Sequence, residues 1–241
     1  MTEDKTTLIA ELGGTNARLG LSKNGSSLVE SRQYLLTDFD SVEALLDQYF
    51  QEINQVVFKG IFGVAAPVIE DEVRFTNNEI KFSQKALKNK MFPKGLIVLN
   101  DLELQAHGLN DLSGEEVIKI GKTKEEKKGS RVLISPGTGL GLAGIVGTKV
   151  IFTEGGHLNI PPDSQELEGV LKKFREDKGR PPTFEDLLSG KGISFIFRSL
   201  DGSSGIQYSN EEILANKDNP LCVKTRKLVL YLLAIYCKYI A

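Results

Sequence analysis

The chain is poor in the features that mark secreted, metal-stapled, membrane-spanning and nucleic-acid-binding proteins. Cysteine is scarce: 241 residues contain two, Cys222 and Cys237. Two thiols cannot build a structural zinc site alone, and nothing beside them has metal-ligand spacing. The N-terminus, Met1-Thr2-Glu3-Asp4-Lys5, is charged and lacks the apolar stretch of a signal peptide. Both observations point to a reducing, cytoplasmic setting. Charge of one sign is also missing: the net charge is −2, with acids and bases interspersed, which argues against nucleic acid as a partner. The densest lysine cluster, Lys122 to Lys128, is diluted by Glu125 and Glu126 and reads as a solvated loop. There is no long hydrophobic run. The most apolar segment, Leu228–Cys237, is too short to cross a bilayer and is flanked by Lys227 and Lys238, so it reads as a buried central helix. Low-complexity tracts are absent.

What the chain does have is 40% apolar residues, enough for a real core, and two glycine-rich turns far apart. The first is Glu11-Leu12-Gly13-Gly14-Thr15-Asn16-Ala17-Arg18. The second is Ser135-Pro136-Gly137-Thr138-Gly139-Leu140-Gly141. Apolar runs flank each turn, spelling strand, tight turn, strand. Such a turn lets backbone N–H groups converge on one anion with no Cβ in the way. Two of them, one per domain, suggest a phosphate chain gripped from both sides of a cleft. Between them, Val98-Leu99-Asn100-Asp101 reads as a buried strand ending in a carboxylate.

Patterning predicts strands at 6–12, 16–22 and 27–35, then a helix over Ser41–Ile53 capped by Asp40 or Ser41. A strand at 56–64, a loop with Pro67, a hairpin near 68–76, a helix over Phe82–Phe92, a strand at 95–100 and a helix at 102–109 follow. A second meander is expected at 131–136, 140–147 and 149–154. Helices come next, near 164–177, 183–189, 192–200, 209–216 and 219–241. The domain boundary falls in the polar stretch 112–130, giving domains of 1–112 and 113–241.

Two phosphate motifs fail on context. Gly139 to Gly144 fits G-x-G-x-x-G, but the chain continues as a β-type segment where a dinucleotide site needs a helix. Gly121-Lys122-Thr123 ends like a P-loop, but Glu116 stands where that motif needs glycine. Asp101 has two readings, a proton-accepting base or the N-cap of the following helix. His157 follows Glu154 by three positions across a Gly-Gly turn, so both side chains could face one ligand. His107, on a predicted helix, reads as an ordinary surface or core histidine.

The repeated βββαβα order with a phosphate turn after each first strand resembles the actin-like ATPase (ribonuclease H-like) fold. Five segments narrow the resemblance to the bacterial glucokinase family. Glu11 to Arg18 is similar to its D-x-G-G-T-N-x-R, and Ser135 to Gly141 to its G-x-G-T-G-L-G. Leu99-Asn100-Asp101 through Leu109 is similar to L-N-D-F-x-A-x-A-x-G-L. Glu154-Gly155-Gly156-His157 fits E-G-G-H, and Glu185 to Ile193 fits E-x-x-L-S-G-x-G-L. The related zinc-containing sugar kinases (the ROK branch) follow the histidine with a cysteine knot. No cysteine lies between His157 and Cys222 here, so the resemblance is to the zinc-free branch.

The resemblance implies an α/β fold with two domains around a cleft and phosphorylation of glucose at its C6 hydroxyl by ATP with Mg²⁺, in the cytoplasm. Asp101 would be the general base. Asn100, Glu154, His157 and Glu185 would bind sugar. Gly13, Gly14, Thr15 and Asn16 would hold phosphate from one domain, and Gly137, Thr138 and Gly139 from the other. Glu11 stands where the family has Asp and would lie in the outer sphere of Mg²⁺. Family members continue beyond the last predicted helix with an adenosine-binding turn, so the second domain is expected to be incomplete and to expose apolar sheet edges. A homodimer is the family habit. A non-catalytic sugar-binding remnant and a kinase for another hexose are the alternatives.

Overall fold

The computed structural model describes residues 6–25, 27–75, 79–109, 112, 114–121, 129–161, 165–201 and 208–241. The lysine cluster 122–128 and the first five residues lie outside the described residues. The chain divides into two compact units, Met1–Lys122 and Thr123–Ala241.

In the first unit, strands β1 (Thr7–Leu12), β2 (Asn16–Ser22) and β3 (Leu28–Leu35) form the expected antiparallel meander. Strands β4 (Lys59–Val64) and β7 (Gly95–Asn100) extend it in parallel, giving the order β3-β2-β1-β4-β7. Side chains alternate across the sheet, as a period of two requires. Leu8, Ala10 and Leu12 of β1 and Phe62 and Val64 of β4 are fully buried, in one core with Leu45, Leu46 and Tyr49 of helix α1 (Val42–Glu52). Ser41 caps α1, accepting the Ala44 N–H. Helix α3 (Asp101–Gly108) packs on β4 and β7, with Leu104 against Gly63.

One local expectation shifts. The hairpin expected near 68–76 is a two-stranded ribbon of β5 (Glu72–Arg74) and β6 (Lys81–Ser83). Phe82 therefore belongs to a strand, and helix α2 (Gln84–Met91) starts after the Ser83 cap. Strands of three residues carry too little periodicity to be located by pattern.

The second unit opens with the meander β8 (Arg131–Pro136), β9 (Leu140–Val146) and β10 (Lys149–Thr153), in the order β10-β9-β8. Helices α4 (Glu168–Lys178), α5 (Phe184–Leu188), α6 (Gly190–Asp201), α7 (Asn210–Ala215) and α8 (Pro220–Ile240) follow. Their core joins Leu140 and Leu142 of β9 to Phe174, Phe184, Leu187, Ile196, Leu232 and Tyr236. The apolar run Leu228–Cys237 buries only one stripe, Leu228, Leu232 and Tyr236, while Leu230 is 58% exposed. Val132 of β8 and Ile151 of β10, on the two outer strands of the meander, are exposed, as is Val146 at the end of the central strand β9. Among the described residues, no helix is long and apolar enough to cross a membrane.

Candidate active site

In the first unit the motif residues gather at the ends of the parallel strands. Asn100 closes β7 and caps α3: its Oδ1 accepts the Leu102 N–H at 2.9 Å, and its Nδ2 donates to the Ala66 carbonyl at 3.3 Å. The amide is therefore both buried and fixed in orientation. Asp101 is the first residue of α3, not its cap; its Oδ1 also accepts the Leu102 N–H, at 2.8 Å. Burial raises the Asp101 pKa first of all. The backbone bond to Leu102 opposes this, and the neighbouring Glu11 carboxylate adds to the rise.

Register explains why Glu11 reaches Asp101. Glu11 of β1 pairs with Gly63 of β4, and a Cβ on Gly63 would stand 3.5 Å from the Asp101 Cα. The missing side chain makes room for Leu104, whose Cδ2 would stand 2.6 Å from that Cβ, and so lets α3 seat Asp101 close to the sheet. On its other side Glu11 pairs in register with Arg18 of β2, and the guanidinium reaches its Oε2 at 3.3 Å. A cavity of about 490 Å³ spreads from Asp101 past Glu11, Arg18 and Arg32 to Gln105 and Leu104. Neither Gly63 nor the Ala66 carbonyl stands out in the sequence as part of the site. The periodicity of β4 could have placed Gly63 on the Glu11 face.

The turn between β1 and β2 closes on itself through the Gly13 N–H, which donates to the Asn16 carbonyl at 2.8 Å. The Leu36 N–H anchors it by donating to the Thr15 carbonyl at 2.7 Å. Thr15 and Asn16 are exposed at its tip, beside half-buried Gly13 and Gly14. His107 lies in the last turn of α3, exposed, at the far end of the helix from Asp101.

The second unit assembles a separate set. The Gly155–His157 3-10 turn packs against β9 and α5. It can lie that close because it has no side chains in the way: a Cβ on Gly156 would overlap the Leu140 carbonyl, and one on Gly155 would overlap the Leu142 side chain. The turn presents Glu154 and His157 together, with Nε2 3.6 Å from Oε2, both side chains more than half exposed at 64% and 59%. Glu185, in the first turn of α5, accepts the Leu140 N–H on Oε2 at 2.9 Å, a contact the sequence did not predict. Gly137, Thr138 and Gly139 form the β8–β9 turn, where the Gly137 N–H donates to the Gly139 carbonyl at 2.8 Å. A Cβ on Gly137 would meet nothing within 4 Å, so nothing in the protein itself calls for glycine there. A bare backbone at that exposed point suits the approach of a phosphate oxygen.

Below this geometry, helix α5 is locked by a capping box: Thr183 accepts the Asp186 N–H, and Asp186 accepts the Thr183 N–H. Arg180 forks onto both Asp186 oxygens at 2.7 and 2.9 Å. Burial alone would push the Asp186 pKa up; the guanidinium and the Thr183 donors outweigh it and hold the group down at about 2.

Known proteins match this chain over most of its length. The Glucokinase family model matches residues 8–239. A glucokinase of Yersinia enterocolitica is 31% identical over 88% of the chain and 66% of its own length. One from Erwinia tasmaniensis is 29% identical over 81% and 62%. The chain thus spans just under two thirds of the length of these relatives. Among solved structures, a glucokinase from an Antarctic psychrotroph superposes with a TM-score of 0.80 at 23% identity, covering 95% of this chain and 76% of its own. The Balamuthia mandrillaris glucokinase in complex with glucose gives 0.74 at 17%, over 98% and 75%. A ROK family glucokinase from Streptomyces griseus in complex with glucose and AMPPNP gives 0.60 at 18%, over 98% and 79%. These neighbours share the actin-like ATPase fold that the strand order and the two glycine turns implied. Since the family model runs from β1 to the last turns of α8, the chain belongs to the glucokinase family.

Proposed function

We propose that the chain transfers the γ-phosphoryl group of MgATP to the C6 hydroxyl of glucose, in the cytoplasm. The observation that carries this reading is the Asn100-Asp101 junction: a half-buried carboxylate with a raised pKa, held at the end of a parallel strand by a buried cap. A sugar hydroxyl attacks phosphorus only as it loses its proton, and a carboxylate of raised pKa is a stronger acceptor than an ordinary one. Asp101 takes that proton. Asn100, Glu154, His157 and Glu185 supply donors and acceptors for the other hydroxyls. The carboxylates of Glu154 and Glu185 accept, and the second N–H of the Asn100 amide donates. Each glycine turn closes on the N–H of its first glycine, Gly13 or Gly137, and offers phosphate oxygens the exposed backbone of its tip, at Thr15 in the first unit and Thr138 in the second, beside glycines that leave room for the approach. Mg²⁺ carried by ATP would neutralise the phosphate charge, and Glu11, with 47% of its side chain exposed, would hold it through water.

Calorimetry of D-glucose against the folded chain tests the reading. Binding that disappears in Glu154→Ala supports it, and a folded chain that ignores glucose overturns it. A second reading, sugar binding without turnover, is favoured by the Glu11–Arg18 ion pair, which engages the acid that should attend the metal. Under that reading glucose binds and MgATP binds feebly. Competition by epimers separates glucose from another hexose, and sedimentation decides whether the protein is a homodimer.

A further inference from the structure

The segment from Glu185 to Gly192 has a second task that its motif does not announce. It clamps the second glycine turn at both ends. At the exit of the turn, the Leu140 N–H donates to Glu185 Oε2 at 2.9 Å. At its entry, the Gly190 N–H donates to the Gly137 carbonyl, also at 2.9 Å. The clamp is itself supported: Asn210 Nδ2 donates to the Gly190 carbonyl at 2.9 Å, and the Ser194 hydroxyl donates to Asn210 Oδ1 at 2.8 Å. Gly139 makes room for it, since a Cβ there would stand 2.7 Å from Glu185 Oε2 and 3.9 Å from Oε1. The two oxygens are thus unequal, with Oε2 seated on the turn and Oε1 set back from it. The same helix meets the Glu154–His157 segment, the Phe184 N–H donating to the Leu158 carbonyl at 2.9 Å.

We propose that Glu185 is a positioning residue that couples sugar binding to the shape of the second phosphate turn, with Oε1 taking the sugar hydroxyl and Oε2 holding the Leu140 N–H. This rests on the reading of Glu185 as a sugar ligand. A carboxylate is a rigid planar group, so drawing one oxygen toward a ligand moves the other. The bond to Leu140 tightens or turns with it, and the glycines follow. Reciprocity requires a turn shaped by phosphate to bind sugar better as well.

The test is a ¹⁵N spectrum of the full chain titrated with D-glucose, following the amides of Glu154, His157 and Leu140. The coupling predicts that all three shift together. Movement of Glu154 and His157 with Leu140 still overturns the coupling and leaves the sugar site standing. If none moves, the sugar site fails and the coupling falls with it. In Glu185→Ala at saturating glucose, Glu154 and His157 should still shift while Leu140 stays put. Glu185→Gln keeps an acceptor for the Leu140 N–H and should restore the Leu140 response. A Leu140 shift that persists in Glu185→Ala overturns the proposal. Gly139→Ala, which crowds Oε2 without touching the sugar, should weaken glucose binding about fivefold or more by calorimetry; unchanged affinity in the folded variant counts against it.

Discussion

The two units hold their polar residues in opposite ways. In the first, Asn100 and Asp101 sit at the end of a strand, with Asn100 only 8% exposed and bonded on both sides. In the second, Glu154 and His157 stand on a short turn in solvent, facing each other at 3.6 Å and placed by the close seating of two glycines. The first arrangement alters chemistry: burial and a nearby acid shift a proton equilibrium. The second fixes position and leaves the groups accessible, as the proposed polyol recognition requires. A base must be tuned, whereas a binding set has only to be placed.

The sharpest way to break this contrast is Asp101→Asn. It keeps the shape and removes the base, so phosphoryl transfer should fall by roughly 10²–10⁴-fold while glucose binding persists in calorimetry. Loss of binding with loss of rate would mean that Asp101 positions the sugar and does not act as a base. Gly156→Ala attacks the other arrangement. Its Cβ has to displace the Leu140 carbonyl, at a cost of about 2–3 kcal/mol, visible in thermal unfolding and in lost glucose binding. A stable variant with full affinity would show that the seating of the turn is dispensable.

The next prediction uses pH. Asp186→Ala removes a capping box and an Arg180 fork, with an expected loss of about 1–2 kcal/mol in denaturant unfolding. Because Asp186 is held down at about 2, its contribution is complete above the unfolded carboxylate value of about 4 and is lost as pH falls through the folded value. Asp101 carries the opposite sign. Its raised pKa makes the folded chain hold that proton longer than the unfolded chain, so its contribution to stability falls as pH rises through the raised value. Wild type and the two variants, unfolded across acidic pH, should show both slopes. The smallest effect is expected from Glu11→Gln. Removing the like charge should move the acidic limb of the pH–rate profile to lower pH, leaving the larger part of the shift, which comes from burial. An unmoved limb would show that Glu11 does not reach Asp101 electrostatically.

Much of this was legible in the letters. Strand, glycine turn, strand has a strong local signature, and both meanders lie within a residue or two of their predicted bounds. Ser41 announced helix α1 because capping is local chemistry. The contacts that join distant segments were not legible. Glu185 meets Leu140 across 45 positions, and no periodicity encodes that. Gly63 looked like any strand glycine until register set it between Glu11 and Asp101. Gly190 opens helix α6 although glycine disfavours helices, because a Cβ there would stand 3.1 Å from Asn210 Nδ2 and 3.7 Å from the Gly137 carbonyl.

The cap at Asn100 carries one more consequence, for the order of two letters. Position 100 must accept from Leu102 and also donate to Ala66. An amide does both, and an ionised acid can only accept. Under the proposed phosphoryl transfer, position 101 has to take up a proton and keep it for a moment, which an acid does and an amide does not. Written as Asp-Asn, the pair would have the same atoms but for an exchange of nitrogen and oxygen. It would then orphan a carbonyl inside the fold and leave the reacting hydroxyl with nowhere to send its proton. The grammar of the dipeptide is set by counting hydrogens.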